Sequence, residues 1–89
     1  MLTKTLTIVN KLGLHARAAA KLVKLASSFE SDIQVKRQQR AVNGKSIMGV
    51  MLLAASKGTE IELIVSGDDE ETAMQALIDL INDRFGEDE

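Results

Sequence analysis

The chain has no cysteine, no proline, no tryptophan and no tyrosine, and only one histidine among its 89 residues. Without cysteine there is neither a disulfide framework nor a thiolate metal site, and the composition fits a reducing compartment. A single histidine excludes a histidine-rich metal centre, so no metal and no cofactor is expected. Two phenylalanines are the only aromatics, too few for the stacking platforms on which single-stranded nucleic acid is bound. The formal net charge of −2 and the pI of about 5.4 are far from the basic balance of a DNA-binding module, so nucleic acid is not an expected partner. No apolar run approaches the roughly 18 residues of a membrane span, and the N-terminus lacks a signal peptide's basic region and apolar run. No membrane insertion and a cytoplasmic location are therefore expected.

What is present is apolar material without aromatic bulk: 45% of residues are hydrophobic. A core of Leu, Ile, Val, Ala and Met is implied. With no proline-rich or serine-rich break, residues 1–89 are expected to form one domain. Leu2 to Val9 alternates, with Leu2, Leu6 and Ile8 on one face and Lys4 interrupting it, which predicts a half-buried strand. Ile33 and Val35 predict a second strand, Ala41-Val42 a short third and Ile61, Leu63 and Val65 a fourth over Glu60 to Ser66. From Ala16 onward, Ala19, Leu22, Val23, Ala26 and Phe29 recur at spacings of three and four, the pattern of an amphipathic helix. A second helix is predicted from Ser46 to about Ala55, capped by Ser46 and facing the core with Val50, Leu53 and Ala54. A third is predicted after Asp68, with Asp68 and Glu71 as a capping box and a stripe of Ala73, Ala76, Leu77, Leu80, Ile81 and Phe85. Gly86 should stop it, leaving Glu87-Asp88-Glu89 as a solvated tail. The order βαββαβα, with one apolar face per strand, predicts an α+β fold: an open-faced two-layer sandwich, three helices on one face of a four-stranded, mostly antiparallel sheet.

The chemistry gathers at Asn10-Lys-Leu-Gly-Leu-His-Ala-Arg17. Gly13 permits positive φ and marks a turn, which places His15 at the start of the first helix. A helix start carries unpaired N–H groups and partial positive charge, so it attracts anions and favours the neutral, nucleophilic imidazole. Arg17 adds a planar fork of donors suited to phosphate oxygens. A nucleophile, a cation and free N–H groups together suit a phosphoryl group held covalently on the imidazole. The competing reading is a histidine that merely sits at a helix end.

A second stretch sharpens the choice. Gly13-Leu14-His15-Ala16-Arg17, together with Asn43-Gly44-Lys45-Ser46-Ile47-Met48-Gly49, resembles the two signatures of the histidine-containing phosphocarrier family, HPr, and the resemblance covers nearly the whole chain. It implies strand order 1-4-2-3. It also implies that His15 accepts phosphoryl on Nδ1 from Enzyme I of a phosphoenolpyruvate-dependent phosphotransferase system and donates it to an Enzyme IIA. Arg17 would stabilise the phosphate, and the N–H groups of Ala16 and Arg17 would orient it. By the same resemblance the protein is a transiently phosphorylated carrier and not an enzyme. Ala18 departs from the proline usual after His-Ala-Arg, at an expected stability cost of about 0.4–1 kcal/mol. Ala18-Ala19-Ala20 is similar to the nitrogen-related branch, NPr.

The second helix is too apolar for a single stripe, so Ile47, Met48 and Met51 form a candidate docking patch, with Met48 uncrowded beside Gly49. Lys21, Lys24 and Lys45 would steer acidic partners toward it. In some HPr relatives the serine matching Ser46 is phosphorylated by HPr kinase/phosphorylase. The alternative function is therefore a regulatory binding protein controlled at Ser46, with His15 incidental. A monomer is expected.

Overall fold

Alternation of apolar and polar side chains produces four strands in the computed structural model, which describes residues 1–89: β1 Leu2–Thr7, β2 Asp32–Arg37, β3 Arg40–Asn43 and β4 Glu60–Ser66. Three helices accompany them, α1 Ala16–Ser27, α2 Ile47–Leu52 and α3 Glu70–Asn82, and a 3₁₀ turn at Arg84–Gly86 follows. The sheet order is β1-β4-β2-β3 and every neighbouring pair is antiparallel. In β4, Ile61, Leu63 and Val65 face inward, opposite Leu6, Lys4 and Leu2 of β1. On the other side Leu63 and Val65 lie opposite Val35 and Ile33 of β2. Lys4 thus occupies an inward row on an edge strand, yet stays exposed.

Onto this face α1 buries Ala18, Ala19, Leu22, Val23 and Ala26, and α3 buries Ala73, Met74, Leu77 and Ile81. The 21 buried apolar residues form one cluster. At about 1.5–3 kcal/mol for each large side chain fully buried, this layer outweighs any single polar contact in the molecule. No helix is long and apolar enough to cross a membrane.

Four local expectations need correction. First, β1 ends at Thr7 instead of Val9, because Ile8 pairs with the loop before β4 (Ile8 N to Thr59 O, 2.9 Å; Gly58 N to Ile8 O, 2.8 Å). Second, α2 stops at Leu52 because the last turn tightens. Leu53 N reaches Val50 O, Ala54 N reaches Met51 O, and Ala54 turns to φ +50°. That reversal buries Leu53 and Ala55 and exposes Ala54, which the periodicity had placed in the core. Third, α3 begins after Asp69, not Asp68, and Asp69 does not cap its own helix. Its carboxylate accepts from Glu30 N at 2.9 Å, from Ser31 N at 3.0 Å and from the Ser31 hydroxyl. Ser31 is buried, and leaving its polar groups unpaired would cost more than a cap contributes. The carboxylate that reaches back is Glu70, not Glu71, and it accepts from Gly67 N at 3.1 Å. Within α3, Met74 takes the core position that spacing had given to Ala76 and Leu80, both only half-buried.

The fourth correction concerns the C-terminus. Arg84, Phe85 and Gly86 adopt φ of +57°, +56° and +76°, which reverses the chain after α3. Positive φ is costly for Arg and Phe, and the burial of Phe85 offsets it: the ring is fully inaccessible. Lys21 Nζ holds the turn by donating to Phe85 O at 2.6 Å. Residues 87–89 are therefore directed back to the loop before α1, where Glu87 is half-buried against His15 and Asn10, while Asp88 and Glu89 stay exposed as a tail would.

Phe85→Ala should lower unfolding free energy by about 3–5 kcal/mol, read from the urea midpoint by far-ultraviolet circular dichroism.

A second expectation concerns acid. Hydrogen bonds from the Ser31 hydroxyl and from Glu30 N hold the Asp69 carboxyl below its ordinary value, and Gly67 N followed by the N-terminal ammonium does the same for Glu70. Carboxyls depressed in the folded state make the unfolded chain bind more protons, so their stabilisation is present above the ordinary carboxylate range of about 4 and is lost as pH falls through the lowered values. The urea midpoint should drop below about pH 4, and Asp69→Asn should flatten that drop.

Candidate functional site

The loop between β1 and α1 is seated by backbone contact. Gly13, at φ +67°, lies so close to the start of the loop after α2 that an added Cβ would stand 2.5 Å from Ala55 O and 2.8 Å from Ser56 Cα. Leu14 N donates to Ala55 O at 2.8 Å, and the Leu14 side chain is buried. His15 follows in extended conformation as the residue before α1, and its carbonyl accepts from Ala19 N at 2.8 Å. Its imidazole does not cap the helix. The N–H groups of Ala16 and Arg17 have no acceptor in the chain, and no acidic residue lies in the first turn, so the positive end of α1 stays uncompensated from within its own helix. Arg17 is exposed and makes no hydrogen bond or ion pair.

The imidazole is held from the far end of the sequence. His15 Nε2 lies 2.5 Å from Glu87 Oε2, with the two side chains 28% and 15% exposed. The other carboxylate oxygen, Oε1, accepts from Asn10 Nδ2 at 3.0 Å, and the same amide donates to Gly13 O at 2.8 Å. Asn10 is wholly buried and its Oδ1 has no partner in the chain. The bond from His15 first, and that from Asn10 second, hold the Glu87 carboxyl below its ordinary value. Beyond it, Lys11 N donates to Glu89 O at 2.5 Å and Lys11 Nζ pairs with the Glu89 carboxylate at 3.2 Å. The helix start and the returning tail enclose an open cleft of about 880 Å³ lined by His15, Ala16, Arg17 and Lys21. A neutral imidazole that donates from Nε2 to a carboxylate presents its lone pair on Nδ1.

The other singled-out residues fall into two groups. Ile47, Met48 and Met51 are 44%, 76% and 42% exposed, and Leu52 adds 63%. Ser46 caps α2, accepting from Gly49 N at 3.1 Å. The lysines divide: Lys21 is spent on Phe85 O, Lys45 Nζ donates to Phe29 O at 2.8 Å, and Lys24 is exposed without a partner. Ala18 is fully buried in the core.

Sequence reasoning missed Glu87 and Asn10. The available signal was Phe85-Gly86: a large apolar residue beyond the helix must find the core, and a following glycine lets the chain double back. Asn10 had no signal of its own, since asparagine before a turn reads as a turn residue.

A family model described as the PTS HPr component phosphorylation site matches residues 2–83. The chain belongs to the HPr family. It is 59% identical over 88 residues to the phosphocarrier protein HPr of Xylella fastidiosa, covering 99% of each chain. Among solved structures it is similar to HPr from Thermoanaerobacter tengcongensis, with a TM-score of 0.96, 50% identity and 100% of each chain covered. It is also similar to an HPr dimer from the same organism, with a TM-score of 0.79, 52% identity and 98% and 100% coverage. The function that follows is that of a phosphocarrier of the phosphotransferase system, transiently phosphorylated on histidine and not itself a catalyst.

Gly13→Ala tests the loop's seat. Positive φ and a Cβ pressed on backbone should together cost about 1–3 kcal/mol in urea unfolding and shift the amide resonances of Leu14, His15 and Ala16.

Proposed function

We propose that His15 is the phosphoryl acceptor of this HPr, through Nδ1, taking the group from Enzyme I and passing it to an Enzyme IIA. One observation carries this reading: Glu87 engages Nε2, which leaves Nδ1 as the nitrogen with a free lone pair beside the start of α1, where the N–H groups of Ala16 and Arg17 have no acceptor in the chain. Attack by that lone pair forms the N–P bond while the donor–phosphorus bond breaks and the donor keeps its electron pair. Arg17 neutralises the transferring oxygens, and the N–H groups of Ala16 and Arg17 orient them. The ring then leaves readily when the acceptor attacks, because the phosphorylated imidazole already carries a proton on its other nitrogen.

The exposed row of Ile47, Met48 and Met51 is the docking surface for both partners, and Lys24 is the lysine free to steer them. Lys21 and Lys45 act in holding the fold. The protein works as a cytoplasmic monomer of one domain, to be compared by sedimentation with the dimer described for the Thermoanaerobacter relative. Phosphorylation of Ser46 by an HPr kinase/phosphorylase is a second reading. It is favoured by the half-buried Ser46 Oγ at the start of α2, next to the apolar row, where a phosphate would add about −1.5 to −2 charges.

Incubated with Enzyme I, Mg²⁺ and labelled phosphoenolpyruvate, the protein should acquire acid-labile label that His15→Ala abolishes. Arg17→Ala should retain the label but acquire it about 100-fold more slowly. Running the assay with sugar-type and nitrogen-type Enzyme I tells which system is served. Label from neither would end the acceptor reading.

A further inference from the structure

We infer that Glu87 is a positioning residue for phosphoryl transfer, a carboxylate that fixes the proton of His15 on Nε2 and serves as counter-ion to the ring while the phosphoryl group is on it. The inference rests on His15 being the acceptor. The geometry asks more of Glu87 than a surface ion pair would. Its carboxylate is bidentate in use, Oε2 on His15 Nε2 at 2.5 Å and Oε1 on the buried Asn10 amide at 3.0 Å. Asn10 in turn holds Gly13 O, so the carboxylate is referenced to the loop that sets His15 itself. The segment that delivers Glu87 is anchored by a fully buried Phe85 and by the Lys21 bond to its carbonyl, and Lys11 ties down Glu89 beyond. A carboxylate engaged at both oxygens, on a segment that follows the buried Phe85, favours one ring orientation and one tautomer.

The chemical consequence can be followed atom by atom. Before transfer the ring is neutral, with its proton on Nε2 shared with Glu87 and its lone pair on Nδ1. When Nδ1 bonds to phosphorus the donor leaves with the electrons of the broken bond, and the ring becomes a cation that keeps the same Nε2 proton. Glu87 faces that cation. When the acceptor attacks, the N–P electrons return to Nδ1 and the ring is neutral again, the proton never having left. The ring therefore needs neither a base nor an acid at any stage, only a fixed carboxylate.

The test uses the full-length protein with Glu87→Ala and Glu87→Gln. In unphosphorylated wild type, imidazole ¹⁵N spectra should show the proton on Nε2, with a downfield Nε2–H signal protected from exchange. Glu87→Ala should lose that protected signal and accept label from Enzyme I about tenfold more slowly. Glu87→Gln can still accept from Nε2–H through its carbonyl but turns its NH₂ toward the Asn10 amide donor, so it should recover part of the signal and part of the rate. Circular dichroism of both variants separates these effects from misfolding. The inference is overturned if Glu87→Ala keeps the protected Nε2–H signal, or if it loses the signal yet accepts phosphoryl at the wild-type rate. Failure of the underlying reading looks different: wild type would show the intact signal and take no label, and the inference would fall with it.

Discussion

One-sided burial governs this molecule. The buried apolar side chains form one cluster between one face of the sheet and its helices. Aromatic bulk is nearly absent, so that layer is filled by aliphatic side chains, with Phe85 the one fully buried ring and Phe29 packed at its margin. Because the layer needs Phe85, the chain must double back after Asn82, and because it doubles back, Glu87 arrives at His15. The site is a by-product of completing the core, assembled where the loop after β1 and the end of the chain meet. A change in the packing of Phe85 is thus felt as a change in the environment of the imidazole.

Local order was legible where local rules decide. Alternation placed the strands, with β4 matching at Glu60–Ser66, and spacings of three and four placed α1 from Ala16. The glycine at position 13 marked the turn, and Ser46 marked the start of α2. His15 and Arg17 stand out because a lone histidine at a helix start, with an arginine two residues on, suits anion chemistry, and the resemblance of the second stretch around Ser46 sharpens that reading. What failed were choices settled by distant partners. In the run Asp68-Asp69-Glu70-Glu71 any of several carboxylates fits a capping pattern, and buried Ser31, far away in sequence, decides that Asp69 turns outward from its helix. Glu87 reaches His15 across 72 positions. No periodicity encodes such a contact.

The division of labour among the cations is a related lesson. Lys21, Lys24 and Lys45 look equivalent in sequence, yet two of them donate to backbone carbonyls and hold elements together, and one is free. Arg37 and Arg40 are spent the same way, on the last carbonyls around α2: Arg37 Nη1 meets Leu53 O at 2.8 Å and Arg40 Nη1 meets Leu52 O at 3.5 Å. Cations at a helix C-terminus complement its partial negative charge. Arg37 in particular supplies a donor at the end of a short helix that buries only Val50.

Lys4 has a consequence of a different kind. It stands in the inward row of β1, between Leu2 and Leu6, at the open border of the sheet. A second chain laying a strand along that border would extend the apolar layer across it and trap an ammonium group against hydrocarbon. Desolvating that charge is unfavourable enough to discourage the addition. The lysine thus guards a crowded solution of this protein against growing into ribbons.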